Sequence, residues 1–173
     1  MTIRNLDCMF HPASVALFGA SEREGSVGGQ VARNLLAAGF GGRLYFVNPK
    51  RSRVLERDCH KGIDDLPEAP DLAVIATPPD TIPGLIGQLG ARGTKAAVVI
   101  TAGFGEGEDG EGDGSSRRAR MTEAARPHLL RIAGPNCVGL IVPGIGLNAS
   151  FAHLTPAPGK IAFLSQSGAI ITA

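Results

Sequence analysis

The chain has 173 residues, 43% of them hydrophobic, and a formal net charge of +1. That size suits one domain with a core of its own, with room for the beginning of another. Near-neutral charge, 5% aromatic residues and no Trp argue against a nucleic-acid partner, and no apolar run is long enough for a membrane span. The N-terminus lacks a signal-peptide pattern. Cys8, Cys59 and Cys137 have no CxxC spacing and the four histidines are scattered, which disfavours a disulfide framework or a zinc site. Free thiols in a cytoplasmic protein are the expectation.

Residues 1–12 read as a lead-in in which Leu6, Met9 and Phe10 can pack as a helical turn. Residues 15–18, Val-Ala-Leu-Phe, have the length and content of a buried strand. The run ends at Gly19-Ala20-Ser21 and passes Gly25, Gly28 and Gly29; then Val31, Leu35 and Leu36 recur at helical spacing through Ala38. Strand, glycine-rich turn and helix open a nucleotide-binding βαβ unit. Free N–H groups and the helix dipole at such a start attract phosphate, and glycine lets the main chain come close. The turn is longer than G-x-G-x-x-G, so a simple strand-to-helix connection is the competing reading.

Glycines at 39–42 close the helix. Residues 44–47 predict a second strand, stopped by Asn48-Pro49-Lys50-Arg51. A polar stretch over 52–70 holds one short element near 63–66. Residues 72–76 predict a further strand, broken by Thr77-Pro78-Pro79; a helix then begins at Pro79-Asp80 with Ile82, Leu85, Ile86 and Leu89 on its apolar face. Residues 96–101 form another apolar strand before Ala102-Gly103-Phe104-Gly105. Apolar strands alternating with helices indicate a doubly wound, Rossmann-like α/β fold whose parallel sheet is covered on both faces.

Residues 106–116 contain no apolar side chain and predict a mobile loop. Helical spacing resumes near Arg117 and runs to about Leu130. A short strand at 131–133 enters Gly134-Pro-Asn-Cys-Val-Gly139, and residues 140–151 alternate as a hairpin or edge ribbon. Pro156-Ala-Pro158-Gly159 has linker composition. Residues 160–164 predict a new buried strand, followed by a second phosphate-type turn, Ser165-Gln-Ser-Gly168. The expected division is a nucleotide-binding domain over 1–155 and, over 156–173, a linker with the start of a second α/β, flavodoxin-like domain.

The second strand bears on which nucleotide is bound. An NAD site wants an acid there to accept from the ribose 2′-OH. Lys50 and Arg51 stand there instead, which suits a ribose phosphate, as in NADP or CoA, unless they are simply a solvated basic turn. No Walker P-loop is present.

Ser14-Val-Ala-Leu-Phe-Gly-Ala-Ser21, Asn48-Pro-Lys50, Ala76-Thr-Pro78, Thr101-Ala-Gly-Phe-Gly105, Gly134-Pro-Asn-Cys-Val-Gly139 and Phe163-Leu-Ser-Gln-Ser-Gly168 come in that order. Together they resemble the CoA-binding domain of the NDP-forming acyl-CoA synthetases, the superfamily of succinyl-CoA synthetase α subunits and ADP-forming acetate–CoA ligases. Leu147-Asn-Ala-Ser-Phe-Ala-His153 resembles the bacterial fusions that can also carry a protein-lysine acetyltransferase. The resemblance covers nearly the whole chain.

It implies coenzyme A or acyl-CoA as the cofactor. Ser21, Gly25, Ser26, Val27 and Gly28 match the segment that wraps the CoA phosphates, and Asn48, Pro49 and Lys50 the segment that meets its nucleotide end. Thr77 and Pro78 match a wall beside adenine and ribose. Thr101, Ala102 and Gly103 match a further contact, and Pro135, Asn136 and Cys137 a loop near the thiol. Ser165, Ser167 and Gly168 match the phosphate-cradling helix start of the second ligase domain.

The reaction implied is acyl-CoA, phosphate and NDP to acid, CoA and NTP through a phosphohistidine. None of His11, His60, His128 or His153 lies in a matching motif. The residues at hand are therefore expected to bind CoA and catalyse nothing alone, with the remaining ligase domains or a β subunit as partners. The competing readings are an NADP-binding oxidoreductase domain and a non-catalytic CoA-sensing module.

Overall fold

The computed structural model describes residues 3–104 and 114–172. Seven strands form its main sheet: β1 (Ser14–Phe18), β2 (Arg43–Val47), β3 (Arg53–Val54), β4 (Arg57–His60), β5 (Leu72–Ile75), β6 (Ala96–Val99) and β7 (Arg131–Ala133). They lie in the order β3-β4-β2-β1-β5-β6-β7. Every neighbouring pair is parallel except β3 with β4, an antiparallel hairpin on one edge. The chain leaves β1 towards β2 and returns to add β5 on the other side of β1. The order therefore reverses at β1, and a crevice opens at the carboxyl ends of β1 and β5.

Burial follows the apolar pattern. All residues of β1, β5 and β6 are buried, as befits strands covered on both faces. Side chains alternate between two cores. Val15 and Leu17 pack with Val31, Ala32 and Leu35 of α2 (Val27–Ala37). Ala16 and Phe18 pack with Ile82, Ile86 and Leu89 of α3 (Ile82–Arg92) and Met121 of α4 (Gly114–Ala125). Complete burial of a Leu or Ile contributes roughly 1.5–3 kcal/mol, so this central layer carries much of the stability.

A short lead-in helix, α1 (Leu6–Phe10), puts Met9 into the α2-side core. The expected ribbon over 140–151 is a separate antiparallel pair, β8 (Gly139–Val142) and β9 (Leu147–Ser150). It rests on α2, where the Asn34 amide donates to the Ser150 and Ala152 carbonyls at 2.8 and 2.9 Å. No described helix is long and apolar enough to cross a membrane.

Four expectations need correction. The polar stretch after β2 holds two strands, β3 and β4, in addition to the short helical turn at Ile63–Asp65. Only Val54 and Cys59 of that hairpin are buried, so it gives no apolar run to read. The helix expected over 117–130 spans Gly114–Ala125 and passes into a 3-10 turn, Arg126–His128, ended by Leu129 at φ 54. The loop expected at 106–116 lies largely outside the described residues, and 114–116 already belong to α4. Residues 160–164 are neither strand nor buried: Ile161 is 95% exposed and Leu164 85%. An apolar run forms a strand only beside another strand, and none of the described strands pairs with it.

Candidate functional site

The carboxyl ends of β1, β2, β5 and β6 bring together the sequence-predicted residues of four separate motifs. Gly19 directly follows β1, and its φ of +90° and tight packing both exclude a side chain. A Cβ there would stand 2.5 Å from the Ala76 carbonyl oxygen, just after β5. Gly28, in the first turn of α2, meets the same corner, since its Cβ would stand 2.0 Å from the Gly19 carbonyl oxygen. Two glycines thus let the helix start sit directly on the strand end. The connecting turn is ordered by its own serines. Ser21 Oγ accepts from the Arg23 amide at 3.0 Å; Ser26 Oγ donates to the Arg23 carbonyl at 2.6 Å and caps α2 by accepting from the Gly29 amide at 3.2 Å. The Val27 and Gly28 amides, in the first turn, have no acceptor within the helix. Gly25 adopts φ +70° with nothing within 4 Å of where a Cβ would stand, so its surface is open.

Asn48, directly after β2, ties this turn to the next strand end. Its amide side chain donates to the Ala20 carbonyl at 2.8 Å, and its side-chain oxygen accepts from the Lys50 amide at 2.9 Å. Pro49, Lys50 and Arg51 are exposed, and among the described residues no hydrogen bond or ion pair engages either cationic side chain.

After β5 and β6, three threonines are linked by hydrogen bonds. Thr101 Oγ1 donates to the Thr77 carbonyl at 2.7 Å, while Thr81 Oγ1 lies 2.9 Å from Thr77 Oγ1 and 2.6 Å from the Pro78 carbonyl. Ala102 and Gly103 are exposed beyond them, with Gly103 at φ +88°. Arg117 of α4 pairs with Asp80 at 2.7 Å and donates to the Gly103 carbonyl at 3.3 Å, fixing this loop.

The Gly134–Cys137 loop joins from β7: the Asn136 amide donates to the Thr101 carbonyl at 3.0 Å. Pro135 is buried. The Cys137 thiol points inward, 3.3 Å from the Val99 carbonyl, and burial pushes its pKa up. A half-buried thiol held in its protonated form against a backbone carbonyl acts here as a packing group.

Ser165, Ser167 and Gly168 come after the β8–β9 ribbon, with Gly168 beside Val138 and so next to the Cys137 loop. They lead into α5 (Gly168–Thr172), where Ser165 Oγ accepts from the Ser167 amide at 3.0 Å, and a Cβ on Gly168 would meet Val138 at 3.1 Å.

Sequence reasoning missed Glu22, Thr81 and the Asp80–Arg117 pair. Thr81 had a faint signal, a Thr-x-x-x-Thr spacing at a helix start. Glu22 had none, because its partner is the amide of Leu55, 33 residues on. Two surface hollows, of about 370 and 390 Å³, lie elsewhere, along β2 and the β3–β4 hairpin around Leu44, Tyr45 and Arg57. At the strand ends, Gly25, Lys50, Arg51, Ala102 and Gly103 are exposed.

This crevice, with a glycine turn on one wall and cations on the next, can be compared with known proteins. The chain is 39% identical over 168 residues to an ADP-forming acetate–CoA ligase of Archaeoglobus fulgidus, covering 97% of this chain and 24% of that one. It is 34% identical to the α subunit of a Pyrococcus furiosus ADP-forming acetate–CoA ligase, over 96% of this chain and 36% of that subunit. Among solved structures, an acetyl-coenzyme A synthetase of Candidatus Korarchaeum cryptofilum, in complex with phosphate and ADP, superposes with a TM-score of 0.85. That match has 37% identity and covers 95% of this chain and 34% of that one. The chain thus spans about a quarter to a third of these relatives. Residues 13–143, from the first buried strand through the β8 strand, match the family model described as "CoA binding domain". The strand order, the glycine corner and this match agree, and the chain belongs to the CoA-binding domain family.

Proposed function

We propose that the chain is the CoA-holding part of an ADP-forming acid–CoA ligase and that the CoA phosphates lie against the turn over residues 21–28. The observation that carries this reading is the meeting of that turn with Lys50 and Arg51 at adjacent strand ends. Parallel sheets bind ligands at such a switch point. The residues present fit the group. Gly25 leaves its surface open, the first amides of α2 can donate to phosphate, and two exposed cations stand where an NAD site would hold an acid.

When bound, CoA supplies the thiol that takes up and releases the acyl group. The chain's own residues bind and orient it. Ser26 and Gly28 shape the phosphate turn, and Lys50 and Arg51 hold the ribose phosphate. Thr77 and Pro78 wall the adenine and ribose. Thr101, Ala102 and Gly103 continue the wall, and Asn136 guides the chain towards the thiol end, with Cys137 fixing that loop from inside.

Residues 156–172 belong in this reading to the next ligase domain. Its support is the exposure of Ile161, Phe163, Leu164 and Ile170, a surface that needs a cover. Ser165, Ser167 and Gly168 would there cradle a phosphoryl group that a histidine of that domain carries. An acetyltransferase fusion rests on the 147–153 resemblance, and a cytoplasmic location on the three free thiols.

Calorimetric titration of CoA, dephospho-CoA, NADPH and NADH tests the assignment. A charge-assisted hydrogen bond to phosphate contributes about 1.5–3 kcal/mol, so dephospho-CoA should bind roughly tenfold more weakly than CoA. Lys50→Ala should weaken CoA and leave dephospho-CoA nearly unchanged. NADPH binding tighter than CoA would replace this reading with the oxidoreductase.

A further inference from the structure

The β3–β4 hairpin reverses through Leu55 and Glu56, both in the left-handed region at φ 49 and 61. Two-residue turns of this hand favour Asn and Gly, which bear the conformation easily. Here neither residue is of that kind, so the turn needs support from outside. It has two supports: the Arg53 guanidinium donates to the Glu56 carbonyl, and Glu22 Oε1 accepts from the Leu55 amide at 2.6 Å.

Glu22 lies in the glycine-rich turn directly after Ser21, so the second support joins two loops distant in sequence. Asn48 makes the other junction, donating to the Ala20 carbonyl at 2.8 Å. Residues 48–55 are therefore stapled to residues 20–22 at both ends. Within that closed ring the Arg51 amide donates to the Asn48 carbonyl at 3.3 Å, and from β4 the Cys59 amide donates to the Ser52 carbonyl at 2.8 Å. Lys50 and Arg51 ride on the stapled segment.

We propose that Glu22 is a positioning residue for the cofactor site. Its carboxylate holds the β3–β4 turn to the glycine turn and so sets the distance between the amides at the start of α2 and the cations at 50–51. The inference rests on the CoA reading above. Glu22, although acidic, spends its carboxylate on a backbone donor.

The test compares native chain, Glu22→Ala and Glu22→Gln by calorimetry with CoA and dephospho-CoA, and by amide hydrogen exchange. In Glu22→Ala the CoA to dephospho-CoA affinity ratio should fall about threefold or more from its roughly tenfold native value, because the cations lose their register. Exchange should rise at 50–57 and stay unchanged in β5 and β6. Glu22→Gln keeps an acceptor for the Leu55 amide and should retain the native ratio within about twofold. An unchanged ratio in Glu22→Ala overturns the proposal even if exchange rises, since the staple would then be structural only. Equal loss in Glu22→Gln overturns it as well, by making charge and not the staple the cause. A native chain that binds no CoA defeats the cofactor reading and this proposal together. Faster exchange at 50–57 in Glu22→Ala would then still show the staple itself to be real.

Discussion

Residues 14–29 and residues 160–172 carry the same local pattern: an apolar run, a turn of Ser and Gly, then a helix start. Their fates in the fold are opposite. Val15, Ala16 and Leu17 are wholly buried between β2 and β5, and Gly28 locks the following helix onto Gly19. Ile161, Phe163 and Leu164 lie exposed in irregular chain. A strand is a relation between neighbours, and hydrogen-bonded edges on both sides turn the first run into the centre of a sheet. The second run has the same potential, but none of the described strands pairs with it.

The contrast can be broken most directly by truncating each run. Leu17→Ala removes a fully buried side chain and should cost about 2–5 kcal/mol. Leu164→Ala, at an 85% exposed position, should stay within roughly 0.5 kcal/mol. Urea denaturation of the two variants reads the difference. A large loss in Leu164→Ala would mean that residues 160–164 are packed against this domain after all.

The helix starts offer a sharper test, because one methyl group is added in each. Gly28→Ala would force a Cβ to within 2.0 Å of the Gly19 carbonyl, a backbone atom that cannot step aside. Overpacking of this kind costs about 1–3 kcal/mol, and the turn over residues 21–28, proposed to hold the CoA phosphates, should be disturbed with it. Gly168→Ala meets only the Val138 side chain at 3.1 Å, and alanine's helix preference of up to ~1 kcal/mol should offset the contact. Thermal melts with and without CoA separate the two. Equal destabilisation would remove the distinction between a locked and an unlocked helix start.

The smallest effect lies at the opposite end of β2, where charge and not packing holds the chain. Arg43 and Tyr45 both donate to Glu68, and these hydrogen bonds, the one from Arg43 foremost, hold the Glu68 carboxyl below its ordinary value. A carboxylate with a lowered folded value contributes its stability in full above the unfolded value of about 4.3. That contribution fades as pH falls through the folded value. Glu68→Gln should therefore flatten the acid limb of stability against pH and leave the neutral plateau almost level. Melting temperatures between about pH 6 and pH 3 measure it. A steeper acid limb in the variant would contradict the sign.

The sequence by itself determined the α/β class and the positions of β1, β2, β5 and β6, because strands buried on both faces must be apolar throughout. It also located the glycine turn, the Asn48 to Arg51 strand end and the β8–β9 ribbon, each marked by residues with a local backbone or pairing preference. The hairpin β3–β4 stayed hidden: its turn uses Leu55 and Glu56 in place of Asn and Gly, and only two of its residues are buried. Tertiary structure alone decided which motifs meet. The Cys137 thiol faces the Val99 carbonyl and not the crevice, and Glu22 finds the Leu55 amide 33 residues away. Periodicity records which face of an element is buried, but contacts between distant loops follow from strand order. That order is chosen by the packing of the whole sheet.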